Sequence, residues 1–178
     1  MNLIHALALG AGFLCLAVTA GTASAHVVLE TREATAGNGY KAVLKVGHGC
    51  DGAATTAIRV RVPEGVVNVK PMPTAGWTLA TKEGEYAQAY ESHGRTITRG
   101  VTEIAWTGGT LPDGWYDEFV FQTVLPKQPA GTVLYFPVVQ ECEKGAHRWI
   151  EIPEPGKTPA DYREPAPGLT LTEKPPGR

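Results

Sequence analysis

The stretch Thr56-Ala57-Ile58-Arg59-Val60-Arg61-Val62 carries the clearest structural signal in the chain. Its apolar residues at positions 58, 60 and 62 fall on one face and its two arginines on the other, as in a half-buried β-strand. A less regular copy of the pattern covers Tyr40 to Val46. Further strands are predicted at His26 to Arg32, Val66 to Lys70, Trp77 to Thr81, Thr96 to Trp106, Tyr116 to Leu125, Thr132 to Gln140 and Arg148 to Ile152.

The segments between these strands are rich in turn-forming residues, such as Ala36-Gly37-Asn38-Gly39, Pro63-Glu64-Gly65 and Pro112-Asp113-Gly114. Short strands separated by such turns are typical of an antiparallel sandwich, with a closed barrel as the main alternative. Pro137 interrupts one predicted strand and therefore favours an edge or a bulge there. We predict an all-β fold.

The two ends of the chain differ from the middle. An apolar run precedes the small residues Thr22-Ala23-Ser24-Ala25, the pattern of a secretory signal peptide cleaved after Ala25. An uncleaved anchor is the alternative, but the run is shorter than the roughly 20 residues that a spanning helix needs. The Pro-rich C-terminal end excludes regular structure over most of its length, although 168–172 has the pattern of a last short strand. We predict a signal peptide at 1–25, a domain at 26–155 and a tail at 156–178.

Charge and cysteine content limit the partners and the compartment. The chain has 16 Lys and Arg against 18 Asp and Glu, a balance that predicts neither nucleic acid nor an anionic membrane as a partner. Once Cys15 is removed with the signal peptide, Cys50 and Cys142 remain. An even pair in an exported chain predicts one disulfide, with a two-thiolate metal site as the less favoured alternative.

Cleavage after Ala25 would make His26 the first residue of the mature protein. Its primary amine and its imidazole nitrogen could then close a six-membered chelate ring around one metal ion. Neither group needs an unusual environment to lose its proton near neutral pH. Copper gains most among the first-row divalent ions from such nitrogen donors.

Three other positions could join such a site. His48 lies in Gly47-His48-Gly49-Cys50, on an exposed turn that a Cys50–Cys142 disulfide would bring beside the segment from Glu141 to Trp149. Trp149 could pack in the core or lie over a bound cation. His147 shares a strand face with Trp149 and is a weaker ligand candidate. His93, in a polar loop, is expected to be solvated.

The residues give little support for an enzyme. Ser92 is the only serine of the mature chain and has His93 directly beside it, too close in sequence for a triad. No thiol remains free if Cys50 and Cys142 are bonded, and residues 26–178 contain no phosphate-binding glycine loop and no His-Glu-x-x-His motif. Carboxylates at Asp113, Asp117 and Glu118 surround a turn and are expected to be solvated.

Several of these motifs together resemble the YcnI-like family of exported copper-binding domains, in its proteobacterial form. They are Ala25-His26-Val27, Gly47-His48-Gly49-Cys50, Ile58 to Val66, Pro73 to Trp77, and Phe136 to Cys142 with Trp149. The resemblance implies an immunoglobulin-like or fibronectin III-like sandwich that binds Cu(II) through the amine and ring of its first residue. It also implies a periplasmic location.

In Bacillus-type members of that family a glutamate and a tryptophan complete the site. Trp149 occupies the matching tryptophan position. The region of the glutamate carries the His48 turn here, so we predict His26, His48 and Trp149 as the metal site, with Glu141 and Glu143 as reserve ligands.

The predicted function is Cu(II) binding in copper storage, trafficking or homeostasis, without catalysis. The partner would be a periplasmic copper chaperone or a copper-handling membrane protein, and no polysaccharide substrate is expected. The alternatives are a copper-dependent oxidative enzyme of the histidine-brace type and a metal-free structural sandwich.

Overall fold

The computed structural model describes residues 26–173, which form β-strands and one short 3-10 helix. The predicted signal peptide at 1–25 lies outside the described residues, as do residues 174–178. Within 26–173, no helix combines the length and the apolar character needed to cross a membrane. The strands are β1 Val28–Leu29, β2 Glu33–Thr35, β3 Gly39–Val46, β4 Thr55–Arg61, β5 Val67–Pro71, β6 Thr78–Ser92, β7 Arg95–Leu111, β8 Asp117–Val124, β9 Val133–Tyr135, β10 Val138–Cys142, β11 Ala146–Trp149 and β12 Gly168–Thr172, and the 3-10 helix is Pro159–Asp161.

The strands form an antiparallel sandwich, as predicted. One sheet has the order β1-β3-β8-β5 and the other β11-β10-β4-β7-β6. A third, small sheet, β2-β12-β9, contains one parallel pair, between β12 and β2. Two residues of the predicted metal site lie at edge strands. His26 is two residues before β1, and Trp149 is the last residue of β11.

Strand β4 confirms the alternation that indicated the fold. Ile58 and Val60 are fully buried, while Arg59 faces outward and pairs with Glu141 on the neighbouring strand β10. Burying side chains of this size contributes about 1.5–3 kcal/mol each relative to leaving them in water. One face of β4 therefore forms the centre of the core, and the other carries charge.

The predicted disulfide is present between Cys50 and Cys142, with Cα atoms 6.0 Å apart. It joins the turn after β3 to the last residue of β10. The turn is tight at Gly49, where a Cβ atom would lie 1.9 Å from the carbonyl oxygen of Ala53. Only glycine fits at this position without displacing backbone.

Several strand predictions differ from the structure. The strand predicted from His26 to Arg32 is limited to Val28–Leu29, and the one predicted from Arg148 to Ile152 is Ala146–Trp149. The predicted strand from Thr132 to Gln140 is divided at 136–137, because Pro137 has no N–H to donate and the chain changes partner there, from β12 to β4. The strands predicted at 77–81 and 96–106 are parts of the much longer hairpin β6–β7. The turn of that hairpin uses positive φ at His93 and Gly94.

The Pro-rich segment after residue 155 is joined to the sandwich. Its strand β12, at the positions expected for a last strand, pairs with β2 and β9, and Leu169 and Leu171 are fully buried. Before β12, Glu151 and Pro165 form an isolated parallel bridge that holds the segment against the end of β11. Through Glu164 this segment also contacts His147 of β11.

Candidate functional site

Trp149 is the residue around which the candidate site is arranged. It is only 3% exposed, and the rings of three histidines lie against it. The ring centroids of His26, His48 and His147 are 5.1, 6.2 and 4.9 Å from that of Trp149. The His48 and His147 centroids are 5.7 Å apart. The structure thus brings together the three predicted site residues, together with the weaker candidate His147.

Strand pairing explains why His26 and His48 meet. Strand β1 runs antiparallel to β3, with Val28 opposite Lys45. The same register, continued two residues beyond β1, would bring His26 opposite Gly47, the residue that precedes His48 in the chain. The first residues of the domain and the turn after β3 therefore converge at one end of the sandwich.

A buried glutamine fixes the orientation of Trp149. Gln140 is fully buried on β10, and its Oε1 accepts a hydrogen bond from the indole N–H of Trp149 at 3.0 Å. Its amide nitrogen donates to the backbone carbonyl of His48 at 2.7 Å and to the Thr55 hydroxyl at 2.8 Å. One side chain thus positions both the tryptophan ring and the His48 turn. A buried amide that satisfies three partners is costly to replace.

The His48 turn has a second support from outside its own loop. The backbone N–H of Gly49 donates to Asp113 Oδ1 at 2.9 Å. Asp113, one of the carboxylates considered at the turn after β7, therefore holds the His48 turn in place. The Nδ1 atom of His48 lies 2.5 Å from the carbonyl oxygen of Gly49.

The reserve glutamates do not point toward the histidines. Successive side chains of a strand alternate in direction, so Glu141 faces away from Gln140. Its carboxylate pairs with Arg59 at 2.7 Å on the outer face of the sheet. Glu143 lies exposed beyond the disulfide, in the turn between β10 and β11. His93 is exposed at the β6–β7 turn, in agreement with the expectation that it is solvated.

Sequence reasoning did not identify Glu164, a residue of the Pro-rich segment. Its Oε1 lies 2.7 Å from Nδ1 of His147, and its Oε2 accepts the backbone N–H of Arg148 at 3.0 Å. Desolvation by itself raises the pKa of this carboxyl, but the hydrogen bonds from His147 and Arg148 together lower it below its usual value. No local pattern could have indicated this contact, because 17 residues separate the partners.

The donors at this site fit copper by their chemistry. Imidazole nitrogens suit Cu(II), and the hydrogen bonds at Nδ1 of His48 and His147 leave Nε2 of each ring as the available nitrogen. Among residues 26–173, no group of three or more His, Cys, Asp or Glu side chains is arranged to hold a metal ion. A complete ligand set at this site therefore requires a donor of another kind, or movement of the rings.

The fold and the histidine-lined end define an immunoglobulin-like β-sandwich domain fastened by one disulfide. The chain belongs to the family described as a domain of unknown function, DUF1775, whose model matches residues 26–171. This is the family of the YcnI-like proteins. No curated protein matches the chain.

Among solved structures, the chain is similar to an uncharacterized protein from Nocardia farcinica with an immunoglobulin-like fold. The match has 24% identity and a TM-score of 0.60, and it covers 82% of this chain and 97% of the other. At this identity the likeness supports the fold alone.

Proposed function

We propose that the mature protein starts at His26 and binds Cu(II) in the periplasm, for copper storage, trafficking or homeostasis. The amine and the ring of His26 chelate the ion, and His48 contributes Nε2. Trp149 lies beside the ion and shields it from water. The protein binds and transfers copper without catalysing a reaction.

The observation that carries this proposal is the meeting of His26 and His48 at the buried ring of Trp149. A solvated surface histidine needs no such arrangement. Gln140 holds both Trp149 and the His48 turn, and the disulfide fastens that turn to β10. Trp149 and the His48 turn are therefore each held by partners outside their own segments.

The N-terminal amine supplies the donor that the side chains lack. With the two nitrogens of His26 and Nε2 of His48, a Cu(II) ion would have three nitrogen donors. The family match beginning at residue 26 is consistent with a domain that starts there. The partner is a periplasmic copper chaperone or a copper-handling membrane protein.

The proposal is tested by comparing two forms that differ by one residue. One starts at His26 and the other at Ala25 with its N-terminal amine acetylated, so that the imidazole is kept but no free amine lies beside it. We expect Cu(II) affinity, measured by competition with nitrilotriacetic acid, to fall about 100-fold or more in the longer form, because the chelate is lost. Equal affinities would remove the amine from the site.

The N-terminus itself is read from the exported protein. Mass spectrometry of the periplasmic fraction should give a chain that begins at His26 and carries copper. An exported chain that begins elsewhere would contradict the proposal.

A further inference from the structure

The ring of His147 is as close to the ring of Trp149 as the rings of the predicted ligands His26 and His48 are. Its ring centroid is 4.9 Å from that of Trp149 and 5.7 Å from that of His48. Residues 147 and 149 share a face of β11, and His147 is paired with Gln140 of β10. The ring of His147 is therefore directed toward the same end of the sandwich as Trp149.

The protonation pattern of His147 is fixed by its neighbour. Glu164 Oε1 lies 2.7 Å from Nδ1, and an ionised carboxylate can only accept. Nδ1 is therefore the protonated nitrogen, and in the neutral ring Nε2 carries the lone pair. His48 has the same pattern, because its Nδ1 faces the carbonyl oxygen of Gly49.

Glu164 is itself held in place. Its second oxygen accepts the N–H of Arg148, and its own backbone N–H donates to Glu151 Oε2 at 2.6 Å. The backbones of Glu151 and Glu164 are also hydrogen-bonded, at 3.2 Å. A carboxylate fixed behind a histidine is the usual arrangement around metal-ligating imidazoles, where it orients the ring and raises its basicity.

We propose that His147 is a further ligand of the copper ion, through Nε2, and that Glu164 is its positioning residue. This inference rests on the proposed function. The ligand set becomes the amine and ring of His26 with Nε2 of His48 and His147. Because no three such side chains in residues 26–173 are arranged to hold a metal ion, the three rings move toward the ion when it binds. Four nitrogen donors are suited to the tetragonal geometry of Cu(II). Through Glu164, the Pro-rich segment becomes part of the metal site.

The ligand role is tested with His147→Phe, which keeps a ring against Trp149 but removes the nitrogen donors. The matched control is His93→Asn, which also removes one imidazole and tolerates the positive φ at that turn. Both variants are made in the protein that begins at His26. Pulsed EPR of the Cu(II) form counts coordinated imidazoles, and chelator competition gives the affinity.

We expect His147→Phe to have one coordinated imidazole fewer than the wild type and an affinity about 10–100-fold lower, while His93→Asn matches the wild type. A wild type whose affinity depends on the His26 amine, but whose spectrum and affinity survive His147→Phe, would overturn this inference alone. A wild type that binds no Cu(II) would overturn both proposals.

The positioning role is tested with Glu164→Gln. The amide has one accepting oxygen in place of two. It can accept from the Arg148 N–H and donate to Nδ1 of His147, or it can lose one of these two hydrogen bonds. Donation to Nδ1 would move the ring proton to Nε2, away from the metal-binding tautomer. The matched control is Glu154→Gln, an exposed glutamate just before the Pro-rich segment.

We expect Glu164→Gln to lower the Cu(II) affinity about 10–100-fold and to change the imidazole signal in the EPR spectrum, with Glu154→Gln unchanged. If Glu164 only holds the Pro-rich segment in place, Glu164→Gln would lower the melting temperature and leave the spectrum of the bound ion as in the wild type. That result would overturn the positioning role.

Discussion

Trp106 and Trp149 are buried tryptophans on the same sheet, and their surroundings differ in kind. Trp106 is fully buried and packs against Phe119, and its indole N–H donates to the backbone carbonyl of Met72 at 2.9 Å. Trp149 has histidine rings on its flanks, and its indole N–H is held by the side chain of Gln140. The same residue type thus serves the core in one region and organises polar rings in the other.

The difference lies in position within the sheet. Trp106 belongs to β7, which has β4 and β6 on its two sides, whereas Trp149 belongs to the edge strand β11. An edge strand next to the N-terminus and the Pro-rich segment can receive groups from both. We expect substitutions near Trp149 to affect metal binding and stability together, and substitutions near Trp106 to affect stability alone.

The largest effect is expected from removing the disulfide, with Cys50→Ala and Cys142→Ala combined. The bond closes a 92-residue loop, and on the chain-entropy model its loss lowers the free energy of unfolding by about 4–5 kcal/mol. Urea denaturation measures this loss. Since the bond fastens the His48 turn, the folded variant should also bind Cu(II) more weakly. A free energy of unfolding within about 1 kcal/mol of the wild type would contradict the expectation.

The second prediction sets the two tryptophans against each other, with Trp106→Phe and Trp149→Phe as matched variants. Each leaves a smaller ring and one buried acceptor without its donor, so each should lower the free energy of unfolding by about 1–3 kcal/mol. Only Trp149→Phe should weaken Cu(II) binding, by about tenfold, because the larger indole face beside the cation is lost. Urea denaturation and chelator competition provide the two measurements.

Either of two results would contradict the expected difference between the two variants. Equal loss of copper affinity in both would mean that general destabilisation, and not the ring beside the histidines, controls binding. Unchanged affinity in Trp149→Phe would remove the tryptophan from the site.

The same contrast explains how far sequence reasoning could go. The alternation from Ile58 to Val62 is a local pattern set by burial on one face, and it predicted the sandwich. The cysteine pair predicted the disulfide because Cys50 and Cys142, the two cysteines after residue 25, allow only one pairing. The outer parts of hairpin β6–β7 are mostly exposed on both faces and have no alternation, so their length was not predictable.

Within the site, prediction from the sequence was limited by how far apart the contacting residues lie along the chain. His26 and Trp149 were found through their residue types and the family resemblance. Gln140 lies two residues before Cys142 and belongs to no motif, and its three hydrogen bonds depend on strands β4 and β11 meeting β10. Glu164 follows no motif, and its contact with His147 depends on how the Pro-rich segment returns to β11.

The smallest effect is expected from Glu141→Gln, which removes the reserve ligand that faces away from Trp149. Its carboxylate is 42% exposed and pairs with Arg59, also well exposed, so the pair should contribute less than about 1 kcal/mol to the free energy of unfolding. Cu(II) affinity should not change, because residues 140 and 141 point to opposite faces of β10. Arg59→Gln is the matched control, since it removes the same ion pair and leaves the carboxylate in place. If Glu141→Gln weakened copper binding tenfold while Arg59→Gln did not, the carboxylate would have to reach the metal around the sheet edge. The rings at Trp149 would then be only part of the ligand set.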